Sequence, residues 1–212
     1  MRLDHVSYVA SHDQISDVVN RIGSQIGTAF IDGGIHPKFG TRNFTAPLLN
    51  SQYIEIVCPL DHPATDLTPF GQAVKSKSRL GGGWMAWVIS TEKIELVEKS
   101  FNRKAINAIR KLPNGTEISW KQIGVIDLIK NPEVPFFIEW QTKYHPSKKG
   151  DAIANLERIN INGEIEKIAL LTATDKKDLE KKFKVSFSTS DSYNVGIESV
   201  TFKKQNEFIT IK

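Results

Sequence analysis

Apolar and polar residues alternate over the first ten positions. Leu3, His5, Ser7 and Val9 fall on one face and Val6 and Tyr8 on the other, the period-two pattern of a half-buried strand. From Ile15 the period lengthens, and Ile15, Val18, Val19, Ile22 and Ile26 form one stripe of an amphipathic helix that stops near Gly27. A short strand at 29–31, the turn-rich stretch Asp32-Gly33-Gly34-Ile35-His36-Pro37, and strands at 42–48 and 53–58 joined by a turn at Asn50-Ser51 complete a β-α-β-β-β unit. Thr68 as N-cap and Pro69 at the first helical position predict a connecting helix over 68–79, with Phe70, Ala73 and Val74 as its apolar face.

After Gly81-Gly82-Gly83 the pattern restarts. A strand at 84–90 is followed by a helix that Thr91 caps and that carries Ile94, Val97 and Phe101; a turn at Pro113-Asn114-Gly115 precedes strands at 116–123 and 135–140. Beyond the polar stretch 142–150 comes a third round: a strand at 156–161, a helix at 174–183 with Leu179 and Phe183 four apart, and alternating strands at 185–189, 197–203 and 207–211. The openings Leu3-Asp4-His5-Val6 and Leu156-Glu157-Arg158-Ile159 are only faintly alike, so the repeat rests on the order of elements. The predicted architecture is α+β. Tandem βαβββ modules at 1–62 and 81–141, with their connecting helix, form a cup over residues 1–146, and a third, degenerate βαβββ module occupies 150–212. An odd module leaves sheet surface without an obvious partner, from which a homodimer is expected.

Composition narrows the class without naming a function. The chain has 212 residues and a formal net charge of +4, a slight excess that argues against a dedicated nucleic-acid binder. Much of it sits at Lys148, Lys149 and the 176–184 run, where a solvated helix face explains it. One cysteine, Cys58, allows no intramolecular disulfide, and no basic neighbour in sequence activates it. No apolar run approaches the roughly 20 residues of a membrane helix, and no signal-like segment opens the chain, so a cytoplasmic protein without a membrane partner is expected. The triple glycine precedes a strand instead of opening a helix, which is the wrong context for cradling phosphate.

The tandem β-α-β-β-β order resembles the vicinal oxygen chelate superfamily, which includes glyoxalases, extradiol dioxygenases and antibiotic-sequestering proteins. Leu3-Asp4-His5-Val6 is similar to its opening strand. Gly33-Gly34-Ile35-His36-Pro37 through Gly40-Thr41-Arg42-Asn43, Tyr53-Ile54-Glu55-Ile56, Trp120-Lys121-Gln122-Ile123-Gly124 and Pro135-Phe136-Phe137-Ile138-Glu139-Trp140 resemble the bacterial glyoxalase-like domain branch over about residues 2–146. The resemblance implies two modules curving into a cup, with a divalent metal held by the first and last strand of each. Carried over, it implies His5, Glu55 and Glu139 as metal ligands. The fourth position falls in Trp84-Met85-Ala86-Trp87-Val88, which offers no ligand, so a metal-free cup is expected ahead of a metal-loaded one.

Mid-strand carboxylates among apolar neighbours need a metal, a cation or solvent, and Glu55 and Glu139 are the candidate proton-moving groups. His36, Arg42, Asn43, Trp120, Gln122 and Phe137 are the candidate ligand-binding residues. The partner of Arg42 is either the protein's own Glu55 or Glu139 or a ligand's carboxylate or carbonyl. His5 is either a metal ligand or a packed imidazole, and His12, His62 and His145 are given no role. Two functions stay open: a lyase or isomerase acting on a small organic molecule, and a non-catalytic cup that binds or sequesters one.

Overall fold

Each of the first two rounds folds as a strand, a helix and a three-stranded meander. In the computed structural model, which describes residues 1–112, 114–188 and 195–212, the first module comprises β1 (Arg2–Val9), α1 (Ile15–Ile26), β2 (Ile31–His36), β3 (Thr41–Leu48) and β4 (Gln52–Pro59). The connector folds as α2 (Pro63–Leu67) and α3 (Pro69–Arg79), and the hydroxyl of Thr68 caps α3 by accepting from the Gly71 N–H at 3.2 Å, as predicted. The second module comprises β5 (Gly83–Ser90), α4 (Ile94–Phe101), β6 (Ile106–Lys111), β7 (Glu117–Ile123) and β8 (Phe136–Trp140).

In both modules the first strand runs parallel to the last, β1 beside β4 and β5 beside β8. β1 and β5 then pair antiparallel, giving one eight-stranded sheet in the order β2-β3-β4-β1-β5-β8-β7-β6. Its edge strands β2 and β6 come into contact, so the sheet curls into a nearly closed cup. Gly81, Gly82 and Gly83 all have positive φ, which explains the triple glycine as the turn that feeds β5 beside β1.

Three local expectations change. The stretch expected to be a turn at 32–37 is mostly strand β2, bulged between Asp32 and Gly34. β6 is an additional strand. Its sequence places isoleucine at both parities, Ile106 and Ile109, and both are exposed at the sheet edge, so no period-two signal marks it. β1 is irregular between Leu3 and His5, which turns Leu3 to the outer core and leaves His5 facing the cup interior.

The third round comprises β9 (Asn155–Asn162), α5 (Ile165–Thr172), α6 (Lys176–Phe183), β10 (Val185–Ser188), β11 (Gly196–Lys204) and β12 (Glu207–Ile211). Thr189 of the expected strand, like Pro113 of the expected turn, lies outside the described residues. The element order recurs with an added helix, and the pairing differs. The four strands lie in the order β10-β9-β11-β12, so the first strand sits between the second and third instead of beside the last.

This sheet packs on the convex face of the cup. Val6, Tyr8, Ile22, Ile54, Trp87 and Ile89 share one buried core with Ile159, Leu179, Phe183 and Phe202. The indole of Trp84 donates to the Ile211 carbonyl at 2.9 Å, tying β5 to the last strand. The sheet surface that the odd module leaves over is thus covered within the chain. A second apolar cluster, including Val9, Val57, Phe70, Val74, Met85 and Ala86, seats α3 against strand ends of the cup. No helix among the described residues is long and apolar enough to cross a membrane.

Candidate functional site

Strand alternation decides which side chains enter the cup. His5 enters from β1, His36 from β2, Asn43 from β3, Tyr53 and Glu55 from β4, and Arg110 from β6. Ile118, Trp120 and Gln122 of β7 and Phe136, Ile138 and Trp140 of β8 form the opposite wall, with Phe39 and Phe70 closing the space. The cavity has a volume of about 50 Å³, room for a few waters or one small organic molecule.

Six of the nine residues singled out from sequence therefore meet in one cavity: His5, His36, Asn43, Glu55, Trp120 and Gln122. Arg42, Phe137 and Glu139 do not. Arg42 is adjacent to Asn43 on one strand and points the other way, where it pairs with Asp32 at 2.6 Å and lies over the Phe44 ring. On β8 the cavity takes Phe136, Ile138 and Trp140, so Phe137 goes into the outer core. Glu139 caps α4 from outside, accepting from the Ile94 N–H at 3.0 Å and from Gln141 at 2.7 Å. Trp84 and Trp87 likewise face the outer core and fill no part of the cavity.

A chain of hydrogen bonds crosses the cup. Glu55 accepts from the Ser7 hydroxyl at 2.8 Å and from the Asn43 amide at 2.5 Å. The Asn43 carbonyl accepts from Arg110 Nη1 at 2.8 Å, and the same nitrogen donates to His36 Nε2 at 2.6 Å. Because guanidinium only donates, His36 Nε2 carries no proton, and its Nδ1–H donates to the Thr41 hydroxyl at 3.2 Å. Burial, seconded by the Arg110 cation, pushes the His36 imidazole well below its ordinary range, in keeping with that neutral form. On the other wall the Trp120 indole donates to Gln122 Oε1 at 2.8 Å, which fixes the amide and leaves its NH₂ without a partner among the described residues.

A second network orients His5. Asp4 is fully buried and accepts from His5 Nδ1 at 2.8 Å, from His145 Nε2 at 3.1 Å, from Arg2 at 3.0 Å and from the Trp140 indole at 3.2 Å. His145 Nδ1 accepts from the Ser147 N–H at 3.3 Å, and its Nε2 lies 3.1 Å from Asp4 and 3.3 Å from Arg2 Nη2; the carboxylate, which only accepts, takes the Nε2 proton in a hydrogen bond. Burial works against the Asp4 charge, yet the hydrogen bonds from His145 and His5 outweigh it and hold the carboxyl well below the usual carboxylate range. With Nδ1–H committed to Asp4, His5 presents Nε2 to the cavity, its ring stacked on Tyr53 at 4.3 Å. Burial and the charges of Asp4 and Glu55 push the Tyr53 hydroxyl well above its ordinary value, so Tyr53 serves as a neutral wall. Cys58 is buried away from this site, and burial raises its thiol.

The cavity's donor set does not fit a divalent metal. His5 and Glu55 are present, but the cavity-facing residues contributed by β8 are Phe136, Ile138 and Trp140, and Val88 of β5 lies opposite His5. Both oxygens of Glu55 already accept hydrogen bonds. Among the described residues, no group of three or more His, Cys, Asp or Glu side chains could hold a metal ion.

Arg110, Asp4 and His145 were not among the residues singled out from sequence. The hairpin register pairs Ala108 with Trp120 and Arg110 with Ile118, so Arg110 shares the face of Trp120 and Gln122. That register is the signal that places it. For Asp4 the signal is a carboxylate beside a histidine at an irregular strand position.

The chain is similar to several solved structures. The methylmalonyl-CoA epimerase of Mycobacterium tuberculosis is 12% identical over 66% of this chain and 86% of that one, with a TM-score of 0.43. A Streptomyces coelicolor methylmalonyl-CoA epimerase variant bound to 2-nitronate-propionyl-CoA is 13% identical over 69% of this chain and 98% of that one, TM-score 0.46. A hypothetical protein of Bacillus halodurans is 14% identical over 68% and 96%, TM-score 0.43. No curated protein matches. The glyoxalase-like domain matches residues 3–178, both cup modules and the start of the extension, and the chain belongs to that family within the vicinal oxygen chelate superfamily.

Proposed function

We propose that the protein is a lyase or isomerase that takes a small organic molecule into the cup and moves a proton with Glu55. The observation that carries this is the pairing of two oriented proton acceptors in one apolar enclosure. Glu55 is held by Ser7 and Asn43, and His5 is turned by Asp4 so that Nε2 faces the same space. A carboxylate placed this way takes a proton from a carbon beside a carbonyl. The C–H electrons move toward the carbonyl oxygen, which the free Gln122 NH₂ steadies by donating a hydrogen bond. Glu55 then returns the proton to the same carbon, or to the former carbonyl carbon once the proton of the neighbouring hydroxyl has passed to the carbonyl oxygen, so no co-reactant is consumed. His5 Nε2 accepts from a hydroxyl of the bound molecule and fixes its orientation.

The test uses a set of small aldehydes, ketones and 2-oxo acids in D₂O, with carbon-bound deuterium followed by NMR. Catalysed exchange is expected for at least one compound, and Glu55→Gln should slow it by about 10²-fold or more while that compound still binds. Exchange unaffected by Glu55→Gln, or no exchange from any compound, overturns the proposal. Tight binding without exchange supports the sequestering function in its place.

A further inference from the structure

We infer that the molecule taken by the cup carries a carboxylate, or an oxyanion of the same planar shape, and that Arg110 holds it. The inference rests on the cup being the ligand site, and it adds the class of ligand. Arg110 is 6% exposed and lines the cavity, yet no Asp or Glu oxygen among the described residues lies within ion-pair distance of it. A guanidinium so far out of water, without an anion, is an unfavourable arrangement that a protein retains when something else supplies the charge.

The way its hydrogens are used shows what fits. Nη1 has committed both, one to His36 Nε2 and one to Asn43 Oδ1. Nε is buried and has no partner, and Nη2 has none among the described residues. What remains for a ligand is Nη2, with the adjacent Nε–H, now buried and unpaired, as the parallel second donor that a carboxylate's other oxygen would accept from. The neutral partners on the other edge hold the fork in place without cancelling its charge. Asn43 also stands between Arg110 and Glu55, bonding each through a different amide atom, so the two opposite charges do not collapse into an ion pair. Each keeps its charge for the ligand, one to meet its carboxylate and the other to take its proton. With a cavity of about 50 Å³ and walls of Phe39, Phe70 and Ile118, the acid is a small one, a few carbons long.

The experiment titrates acetate, pyruvate, lactate and malonate, each with its amide, into the wild-type protein. Trp120 and Trp140 fluorescence and the ¹⁵Nε–¹H NMR signal of Arg110, assigned by its loss in Arg110→Lys, are the readouts. At least one carboxylate is expected to bind and shift the Arg110 signal, with its amide bound roughly 10-fold to 100-fold more weakly. Arg110→Gln should weaken that carboxylate by a similar factor and leave the amide unchanged, whereas Arg42→Ala should change neither. Equal binding of acid and amide, or no carboxylate response at the Arg110 signal up to millimolar concentrations, overturns the inference, and the NMR arm decides even where Arg110→Gln does not fold. The proton-transfer proposal is judged separately by deuterium exchange. Carboxylates bound at Arg110 without exchange refute that proposal alone, and exchange in neutral carbonyl compounds without carboxylate preference refutes this inference alone.

Discussion

Asp4→Asn removes a negative charge at a point where four donors converge. The carboxylate has no exposure to water, and its donors lie at 2.8 to 3.2 Å. Asparagine keeps the shape but offers one carbonyl in place of two carboxylate oxygens, and its NH₂ must face a group that also donates. One buried donor left unpaired costs about 1–3 kcal/mol. Breaking a buried charged pair costs about 3–5 kcal/mol, of which the Arg2 share is discounted because that side chain is 43% exposed and screened. A loss of about 4 kcal/mol is expected at neutral pH, which lowers the Tm of a chain this size by roughly 10 °C. Urea unfolding followed by tryptophan fluorescence, with calorimetry alongside, measures it. The pH dependence has a definite sign. A carboxyl held below its ordinary value of 3.8 stabilises the fold fully above that pH, and the contribution fades as pH falls through the lower folded value. The gap between wild type and Asp4→Asn should therefore narrow below about pH 4. A gap under about 1 kcal/mol at neutral pH, or one that stays constant into acid, would refute the assignment of Asp4 as the charged hub.

Two other substitutions separate site from scaffold. A Cβ at Gly33 would stand 2.1 Å from Asn43 Oδ1 and 3.2 Å from Arg110 Nη1, so Gly33→Ala must displace the amide that links Arg110 to Glu55. It should cost about 1–3 kcal/mol by overpacking and abolish deuterium exchange, the latter read by the NMR assay above. Phe183 of α6 is fully buried against Trp87 of the cup, and Phe183→Ala should cost about 3–5 kcal/mol in urea unfolding while the cavity keeps its affinity for small acids.

The modules were legible in the sequence because their signals are local. Period-two runs, the stripe from Ile15 to Ile26 and the Thr68-Pro69 start each report on a few neighbouring residues. Face assignment was legible where a strand is regular, as for Glu55 on β4 and Trp120 with Gln122 on β7. It failed where adjacent residues were given the same site, as with Arg42 and Asn43, since neighbours on a strand cannot share a face. It failed on β8 because apolar residues occupy both parities and both faces of that strand are buried, so nothing in Phe136-Phe137-Ile138 marks the inside. Arg110 was hidden for a different reason. Its meaning comes from His36 and Asn43, which are 74 and 67 positions away in sequence. Pairing in the third round was hidden as well, because the order of elements does not say which strand lies beside which.

The shared core has a consequence for how this chain can be divided. Residues 1–146 look like a self-sufficient cup in sequence, but the back of their sheet is the floor on which β9 to β12 are laid. Cutting at that boundary would bare Val6, Tyr8, Ile54 and Trp87 to solvent and strip the Trp84 indole of the Ile211 carbonyl, one residue from the end of the chain. The cup and its extension share one buried core, and the last strand, though it lies outside the eight-stranded sheet, holds strand β5 of that sheet through the Trp84 indole.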